Sequence, residues 1–470
     1  MTLVMKFGGT SVGSAEAIER AAGLIRHTLE SWPQVVVVAS AMSGVTDLLL
    51  KGANTAAAGD ADTYKNVTRK LRQKHFNAIA TLLNDGEDQS QVSAEIRHLI
   101  DHFQRLCQAV AVLGELTPRA LDAISSMGEQ MSIRIVAAYL RQVGQPAEAV
   151  DATDLILTDN GFQDAIPQMA ETTRRTEARL RPLLENGVVP IVTGFIGASP
   201  EGVTTTLGRG GSDYSAAILG QALRADEVWI WTDVDGVMSA DPRFVPDART
   251  IPTLSYREVA ELAYYGAKVL HPKTIRPCVE NGIPLRIKNT FNPDHPGTVI
   301  VSNGAAEQGA IKAVTAVKNQ SLVTIEGRGM MGVPGIAARA FGAVAGIRVS
   351  VLLITQSSSE QSICFSIPES VTAQVTAALE TEFVKELDRR DIDRIWAERP
   401  VSVITTVGAG MRGTPGIAGR VFTALGNARV NVLAIAQGSS ECSISLVVSG
   451  EETAEAELAI HKLIINGQPI

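Results

Sequence analysis

A repeat in the last third of the chain constrains its fold more than any other feature of the sequence. The run Val-Pro-Gly-Ile-Ala-Ala-Arg at 333–339 recurs at 414–420 as Thr-Pro-Gly-Ile-Ala-Gly-Arg. The run Gln-Ser-Ser-Ser-Glu at 356–360 recurs at 437–441 as Gln-Gly-Ser-Ser-Glu, and both recurrences are 81 positions apart. One offset shared by two motifs indicates two copies of one small domain.

Each copy predicts the order strand, helix, strand, strand, helix. In the second copy these elements are expected at 402–407, 417–425, 431–435, 443–448 and 453–465. This is the ferredoxin-like βαββαβ order without its last strand. The first copy can complete itself with 392–397, whereas few residues follow 465. We therefore expect the upstream run 311–318 to complete the second copy, which would nest the first copy inside it.

Both copies also carry the glycine spacing of a dinucleotide-binding fingerprint, at 327, 329 and 332 and again at 408, 410 and 413. Three features argue against a dehydrogenase. The following strand ends in Gln356 or Gln437, where an acidic residue would hold the ribose. Each copy is also too short to continue into a doubly wound sheet, and a proline stands where the helix begins.

The first 300 residues alternate between strand and helix patterns. Strands are expected at 35–40, 188–193, 228–232 and 285–288, and helices at 14–30, 118–142, 212–224 and 255–270, with a polar helical insertion at 62–112. Such alternation predicts an α/β fold with a mainly parallel sheet between helical layers. We expect domains at 1–300, 320–398 and 399–470, which suits a chain of 470 residues.

Polar or glycine-rich loops follow several predicted strands. The run Lys6-Phe7-Gly8-Gly9-Thr10-Ser11 follows the first strand, and similar loops lie at 40–46 and 232–236. Strand carboxyl ends line the ligand crevice of an open α/β sheet, so these loops should converge. Lysine and glycine amides suit a phosphate, although a simple tight turn is also compatible with Gly8-Gly9. The absence of a Gly-Lys dipeptide excludes a Walker A loop.

The segment 206–215 carries the strongest chemical signal. Arg209 lies among three glycines and offers a planar fork for a carboxylate or phosphate, while Ser212 and Asp213 open a predicted helix whose N-terminus favours anions. Glu129 stands among apolar residues on another predicted helix, where an acid needs a cationic partner such as a ligand ammonium. Asp233 suits a ligand site or a turn equally well.

Bulk composition excludes several other functions. The net charge is −8 and no basic run is present, which argues against binding to nucleic acid or a membrane surface. No apolar stretch approaches the roughly 20 residues of a membrane span and no signal pattern opens the chain, so we expect a cytoplasmic protein. The four cysteines are scattered, which predicts reduced thiols and neither a zinc site nor a disulfide framework.

Taken together, the segments 6–11, 40–46, 127–132, 206–215, 232–243 and 266–272 resemble the aspartate kinases, which have the amino acid kinase fold, and the repeat resembles their pair of ACT regulatory domains. The runs 356–360 and 436–441 are most similar to the kinase half of bifunctional aspartokinase/homoserine dehydrogenases. From this resemblance we expect the chain to stop where the dehydrogenase would start.

The resemblance implies transfer of the γ-phosphoryl group of ATP, with Mg²⁺, to the side-chain carboxylate of L-aspartate. The product would be 4-phospho-L-aspartate, in the first step of lysine, threonine and methionine biosynthesis. The residues suit this chemistry independently. A carboxylate nucleophile is already ionised at neutral pH and needs no base, so the main requirements are positioning and charge neutralisation.

The resemblance also implies roles for individual residues. Lys6 would stabilise the transition state, with Asp213 orienting the lysine charge. The implied aspartate ligands are Thr46, Glu129, Arg209 and Ser212. The implied nucleotide ligands are Lys6, Phe7, Gly8, Gly9, Thr232, Asp233, Met238, Arg243, Lys268 and Val269. Met238 departs from the family, which usually has an aromatic residue there, although methionine can still pack on a purine.

For the ACT pair, the resemblance implies that Gln356, Gln437 and Asn431 bind an end-product amino acid, threonine as first choice and lysine as second, and that the chain forms a dimer or tetramer through these domains. Two alternatives stay open. One is a kinase for glutamate or an N-acetylated analogue, against which Glu129 argues because an acylated amine needs no acidic partner. The other is an inactive amino-acid sensor, against which Lys6, Arg209 and Asp213 argue.

Overall fold

The computed structural model describes residues 1–267, 270–302, 311–357, 361–438 and 441–466. Its strands, in chain order, are β1 (Thr2–Phe7), β2 (Gln34–Ala39), β3 (Ala147–Val150), β4 (Val189–Thr193), β5 (Ile196–Ala198), β6 (Thr204–Thr206), β7 (Glu227–Thr232), β8 (Thr253–Ser255), β9 (Leu285–Asn289), β10 (Thr298–Val301), β11 (Ala313–Glu326), β12 (Leu353–Gln356), β13 (Ser362–Pro368), β14 (Arg394–Val407), β15 (Ala434–Ala436) and β16 (Ser443–Ser449).

The α-helices are α1 (Ala15–Leu29), α2 (Val45–Ala57), α3 (Ala61–Leu82), α4 (Glu87–Leu113), α5 (Pro118–Ser125), α6 (Met127–Gln142), α7 (Met169–Glu185), α8 (Gly211–Leu223), α9 (Tyr256–Tyr264), α10 (Pro272–Asn281), α11 (Ile336–Gly346), α12 (Thr372–Glu382), α13 (Val384–Arg389), α14 (Ile417–Asn427) and α15 (Thr453–Asn466). In the part of the chain that the structure describes, no helix combines the length and the apolar character needed to cross a membrane.

The chain divides into two compact units, of which the first comprises Met1–Val237, Pro252–Leu254 and Leu270–Ser302. Its central sheet has eight strands in the order β3-β4-β2-β1-β7-β9-β10-β8. The six strands from β3 to β9 in that order pair in parallel. The valine run 35–38 in β2 is fully buried, as expected for a parallel strand covered on both faces. The predicted mainly parallel sheet is therefore confirmed.

The helices differ from the sequence prediction at their ends. The expected helix 118–142 is two helices, α5 and α6, which meet at Ser126. The expected helix 255–270 begins in a capping box between Ser255 and Glu258 but ends at Tyr264, shortly before Gly266 with its positive φ of 85°. The insertion 62–112 is helical as expected, forming α3 and α4.

The second unit contains 238–251, 255–267 and the described residues from 311 onward. Its six-stranded sheet has the order β12-β13-β11-β14-β16-β15. Within the single strand β11, Gln320–Glu326 pairs with β13 of the first repeat, while Ala313–Val317 pairs with Val403–Val407 of β14. The front part of β11 therefore adds a strand to the second repeat, which is the pairing that a nested arrangement needs.

Two regions of this unit differ from the expected pattern. The strand expected at 431–435 forms only at Ala434–Ala436. The segments 238–251 and 255–267 cluster with the repeats although they precede residue 300. Ala240 and Val245 share a buried core with residues of the second repeat such as Ile404 and Val421. The sequence pattern of those segments, which reads as turns and a helix, carries no signal of this packing.

Candidate active site

The ends of five parallel strands lie side by side in the first unit. Phe7 pairs with Ala39 on one side and with Trp231 on the other. On the next strands outward, Ala39 pairs with Thr193 of β4, and Thr232 pairs with Asn289 of β9. The loops that follow these strands therefore leave the sheet at one edge, where open α/β sheets bind their ligands.

Lys6 and Asp213 form an ion pair at this edge. Lys6 lies near the end of β1, Asp213 lies in the first turn of α8, and Lys6 Nζ is 2.6 Å from Asp213 Oδ1. The two side chains are only 12% and 19% exposed, respectively. An ammonium group has three donors, so Lys6 can keep this contact and still bind an anion. A carboxylate in this position would orient the positive charge of Lys6.

The glycine loop after β1 packs tightly against the loop after β2. A Cβ atom built on Gly9 would lie 3.2 Å from the Ala41 carbonyl oxygen, which is closer than an ordinary van der Waals contact, so a side chain there would require a small shift of one loop. The Gly8 N–H donates to the Trp231 carbonyl at 3.3 Å. A phosphate would therefore have to share the Gly8 amide with that carbonyl.

Glu129 is a buried acid with one oxygen available. It lies in the first turn of α6 and is 3% exposed. Its Oε1 accepts a hydrogen bond from the Ala41 N–H at 3.2 Å, while its Oε2 has no hydrogen-bond partner among the described residues. Burial raises the pKa of Glu129 from its ordinary 4.5 to about 8. A ligand ammonium would satisfy the remaining oxygen and favour the ionised form.

The loop that carries Arg209 joins β6 to α8. Gly208 and Gly210 have φ values of 77° and 72°, in the left-handed region where glycine is favoured. Arg209 is exposed and forms no ion pair with any residue in the described ranges. Ser212 lies against Gly194, where a Cβ atom would come within 2.7 Å of the serine hydroxyl. Thr46 is half-buried in the first turn of α2.

The predicted nucleotide ligands are distributed over both units. Thr232 ends β7, and its hydroxyl donates to Asp233 Oδ1 at 3.2 Å. Met238 and Arg243 belong to the second unit; Met238 Sδ accepts from the Thr250 hydroxyl, and Arg243 pairs with Asp241. Lys268 and Val269 lie outside the described residues.

Two further acids hold loops, and sequence reasoning did not single out either of them as a site residue. Asp235 accepts hydrogen bonds from the Asn289 and Asn292 side chains at 2.8 and 3.0 Å. Asp122 accepts from the backbone N–H and the hydroxyl of Thr206 at 2.9 and 2.8 Å. An acid on the apolar face of the helix 118–142 was the available signal for Asp122. The structure describes no cluster of three His, Cys, Asp or Glu residues suited to a metal ion.

Each repeat of the second unit contains a cavity, of about 310 Å³ in the first and about 330 Å³ in the second. Gln356 lines the first and Gln437 the second, and each cavity lies beside the Pro-Gly-Ile-Ala run of its repeat. Glu441 also lines the second cavity and accepts a 2.7 Å hydrogen bond from the Gly413 N–H. Asn431 is exposed and does not line either cavity.

Comparison with known proteins agrees with this architecture. The model of the amino acid kinase family matches residues 1–289, and the model of an ACT domain matches 323–383 and 404–463. The bifunctional aspartokinase/homoserine dehydrogenase of Haemophilus influenzae is 38% identical over 469 residues, which cover 99% of this chain and 57% of that protein. The chain spans about half the length of such curated relatives.

Two solved structures match over nearly the whole chain. E. coli aspartokinase III in complex with aspartate and ADP, in the R-state, is 31% identical with a TM-score of 0.79, covering 99% of this chain and 100% of that one. The same enzyme with lysine and aspartate, in the T-state, is also 31% identical, with a TM-score of 0.80 and coverage of 98% and 99%. The chain thus belongs to the amino acid kinase family, among the aspartate kinases that carry ACT domains.

Proposed function

We propose that this chain transfers the γ-phosphoryl group of ATP to the side-chain carboxylate of L-aspartate, forming 4-phospho-L-aspartate and ADP. The observation that carries this proposal is the Lys6–Asp213 ion pair at the same sheet edge as the buried, half-satisfied Glu129. The first supplies an oriented positive charge for a phosphoryl group, and the second supplies a partner for a free amino group. The relative that binds aspartate and ADP supports this choice of substrates.

The chemistry requires little beyond positioning. The attacking carboxylate is ionised at neutral pH, and charge develops on the transferring group and the leaving oxygen. Lys6 would neutralise that charge, and Arg209 would fix a carboxylate of the amino acid by a bidentate contact. Mg²⁺ usually binds through substrate phosphates, water and one or two carboxylates, so this role does not require a cluster of three acids in the protein.

A coupled assay of ADP release tests the proposal. Turnover is expected with L-aspartate and not with L-glutamate or N-acetyl-L-glutamate at equal concentration. The N-acetylated compound is the informative control, since its amine can carry no charge for Glu129 to bind. Turnover with N-acetyl-L-glutamate and none with aspartate would overturn the assignment, and no turnover with any of the three would favour an amino-acid sensor.

We further propose feedback regulation by an end-product amino acid bound at the cavities of Gln356 and Gln437, with threonine favoured over lysine. Two equivalent glutamines suit the neutral hydroxyl-bearing side chain of threonine better than an ammonium. The lysine complex of E. coli aspartokinase III is the argument for the alternative. The chain would then act in the pathway that leads to lysine, threonine and methionine.

The ACT domains are also the proposed site of self-association, as a dimer or tetramer. Ile354 on β12 and Ile435 on β15 are 51% and 45% exposed, and both strands are edges of the six-stranded sheet. Exposed apolar side chains on an edge strand favour pairing with another copy. Analytical ultracentrifugation of the full chain and of Ile354→Lys measures the oligomeric state. We expect a smaller species for the variant.

A further inference from the structure

Asp122 on α5 is a buried carboxylate with an unusual set of partners. It is 1% exposed, and burial raises its pKa. Its Oδ2 accepts from the backbone N–H groups of Thr206 and Gln163 at 2.9 and 3.0 Å, and its Oδ1 accepts from the Thr206 hydroxyl at 2.8 Å. It pairs with no cation within the described ranges. A buried acid without a counterion depends on such donors, so the three contacts must be kept together.

These contacts hold the start of the Arg209 loop. Thr206 is the last residue of β6, and its carbonyl also accepts from the Ala165 N–H at 2.9 Å. Leu207 then donates its N–H to the Phe195 carbonyl at 2.9 Å. Hydrogen bonds with Asp122, Ala165 and Phe195 thus hold the backbone only a few residues before Arg209. Beyond this point the loop turns through two glycines with positive φ.

The Arg209 side chain is exposed and has no ion-pair partner of its own among the described residues. The anchored backbone therefore fixes the point from which the side chain reaches, namely the Arg209 Cα. A bidentate contact between guanidinium and carboxylate tolerates only small displacements, of about 0.5 Å. The anchored end of the loop is the part of the structure that can supply this precision.

We propose that Asp122 is a positioning residue for Arg209. Through its hydrogen bonds with Thr206, Asp122 holds the backbone of Arg209 where the guanidinium can meet a carboxylate of the amino acid substrate. The inference rests on the proposed function, because it assigns Arg209 to that substrate. It predicts that the Asp122 contacts set the affinity for aspartate and leave the nucleotide site unaffected.

Asp122→Asn tests the proposal with almost no change in size. The new amide group can keep the same partners, with its oxygen accepting from the two N–H groups and its NH2 group donating to the Thr206 hydroxyl, but it carries no negative charge. The charge-assisted hydrogen bonds of the anchor are therefore weakened. We expect the KM for aspartate to rise by roughly tenfold or more, as small misplacements of binding groups do, while the KM for ATP changes by less than about twofold. Asp62→Asn, which alters an exposed acid on α3, is the matched control.

Two variants of Thr206 test the same contact in case Asp122→Asn does not fold. Thr206→Val removes the hydroxyl donor and should raise the KM for aspartate, whereas Thr206→Ser keeps the donor and should restore it. An unchanged KM for aspartate in Asp122→Asn or, if that variant does not fold, in Thr206→Val would overturn the proposal. Equal increases in KM for aspartate and ATP would also overturn it, since they indicate general damage.

Hydrogen exchange separates this proposal from the proposed function. In Asp122→Asn the amides of residues 204–212 should exchange faster than in the unchanged chain, with the other strands of the sheet unaffected. Unchanged exchange there would refute the anchor even if the enzyme is active. If the unchanged chain does not turn over aspartate, the proposed function is refuted, and with it the assignment of Arg209 to the substrate. The exchange experiment would still test whether Asp122 holds Thr206.

Discussion

At the scale of single residues, the site depends on charges whose partners come from distant parts of the chain. Lys6 meets Asp213 across more than 200 positions, and Glu129 meets the backbone of Ala41. The sequence marked Lys6, Glu129 and Asp213 as candidates because of their unusual surroundings. The family resemblance implied that Asp213 orients the lysine charge, but nothing in the sequence indicated that both side chains would be largely buried.

Lys6→Ala should lower kcat by roughly 10²-fold or more, as the loss of one group that stabilises developing charge typically does. Steady-state kinetics with aspartate and ATP measures the effect. The matched control is Lys70→Ala, at an exposed position on α3, which should keep its turnover. Near-normal kcat in the Lys6 variant would remove this residue from the mechanism.

Glu129 should make stability depend on pH. Its pKa of about 8 in the folded protein lies above the ordinary 4.5, so the folded state retains a proton that the unfolded state releases between these values. The free energy of unfolding should therefore fall as pH rises from about 4.5 to about 8. Glu129→Gln should lose this dependence, which thermal unfolding midpoints at pH 6, 7 and 8.5 would show.

Two comparisons sharpen the Glu129 experiment. Glu115→Gln, which changes an exposed acid, should keep the pH dependence of the unchanged chain. Saturating aspartate should flatten that dependence in the unchanged chain, because an ammonium stabilises the ionised acid. Identical midpoint profiles for Glu129→Gln and the unchanged chain would contradict the assigned titration.

At the scale of elements, the site requires close approach between strand ends and helix starts. Gly194 follows β4, and its Cα lies so close to Ser212 on α8 that an added Cβ would come within 2.7 Å of Ser212 Cβ and Oγ. The periodic patterns predicted the strand and the helix well. The tight contact between them is invisible in the sequence, where Gly194 looks like an ordinary loop residue.

Gly194→Ala should displace the start of α8 and lower kcat/KM for aspartate by roughly tenfold or more, since small displacements of positioned groups are costly. Gly23→Ala on α1 is the matched control. No atom outside its own helix lies within 4 Å of a Cβ built at Gly23, so alanine should be tolerated and can add up to about 1 kcal/mol of helix stability. Equal kinetics for the two variants would contradict this account of Gly194.

At the scale of the whole molecule, the two repeats share long strands instead of forming separate sheets. β11 and β14 each run for 14 residues and pair along most of their length, so each contributes to both repeats. The two cavities nevertheless have Gln356 and Gln437 in matching places. This match is the reason for proposing two effector sites.

Gln356→Ala and Gln437→Ala should each raise the threonine concentration that gives half-maximal inhibition, by roughly tenfold if one hydrogen bond to the effector is lost. Inhibition curves with threonine and with lysine measure this. Gln374→Ala, which changes an exposed position on α12, should behave as the unchanged chain does. Unaltered inhibition in both cavity variants would exclude these sites, and inhibition by lysine alone would reverse the expected effector.

The parallel α/β sheet, the repeat at an offset of 81 residues and the candidate residues could all be predicted from the sequence. Periodicity, the placement of glycines and charged residues in apolar surroundings are local properties, and they identified Lys6, Glu129, Arg209 and Asp213. The tertiary structure alone shows how the strand ends align, that the Lys6–Asp213 pair is largely buried and that Asp122 contacts the start of the Arg209 loop. These depend on strand register and on packing between segments far apart in the chain, and neither leaves a local trace in the sequence.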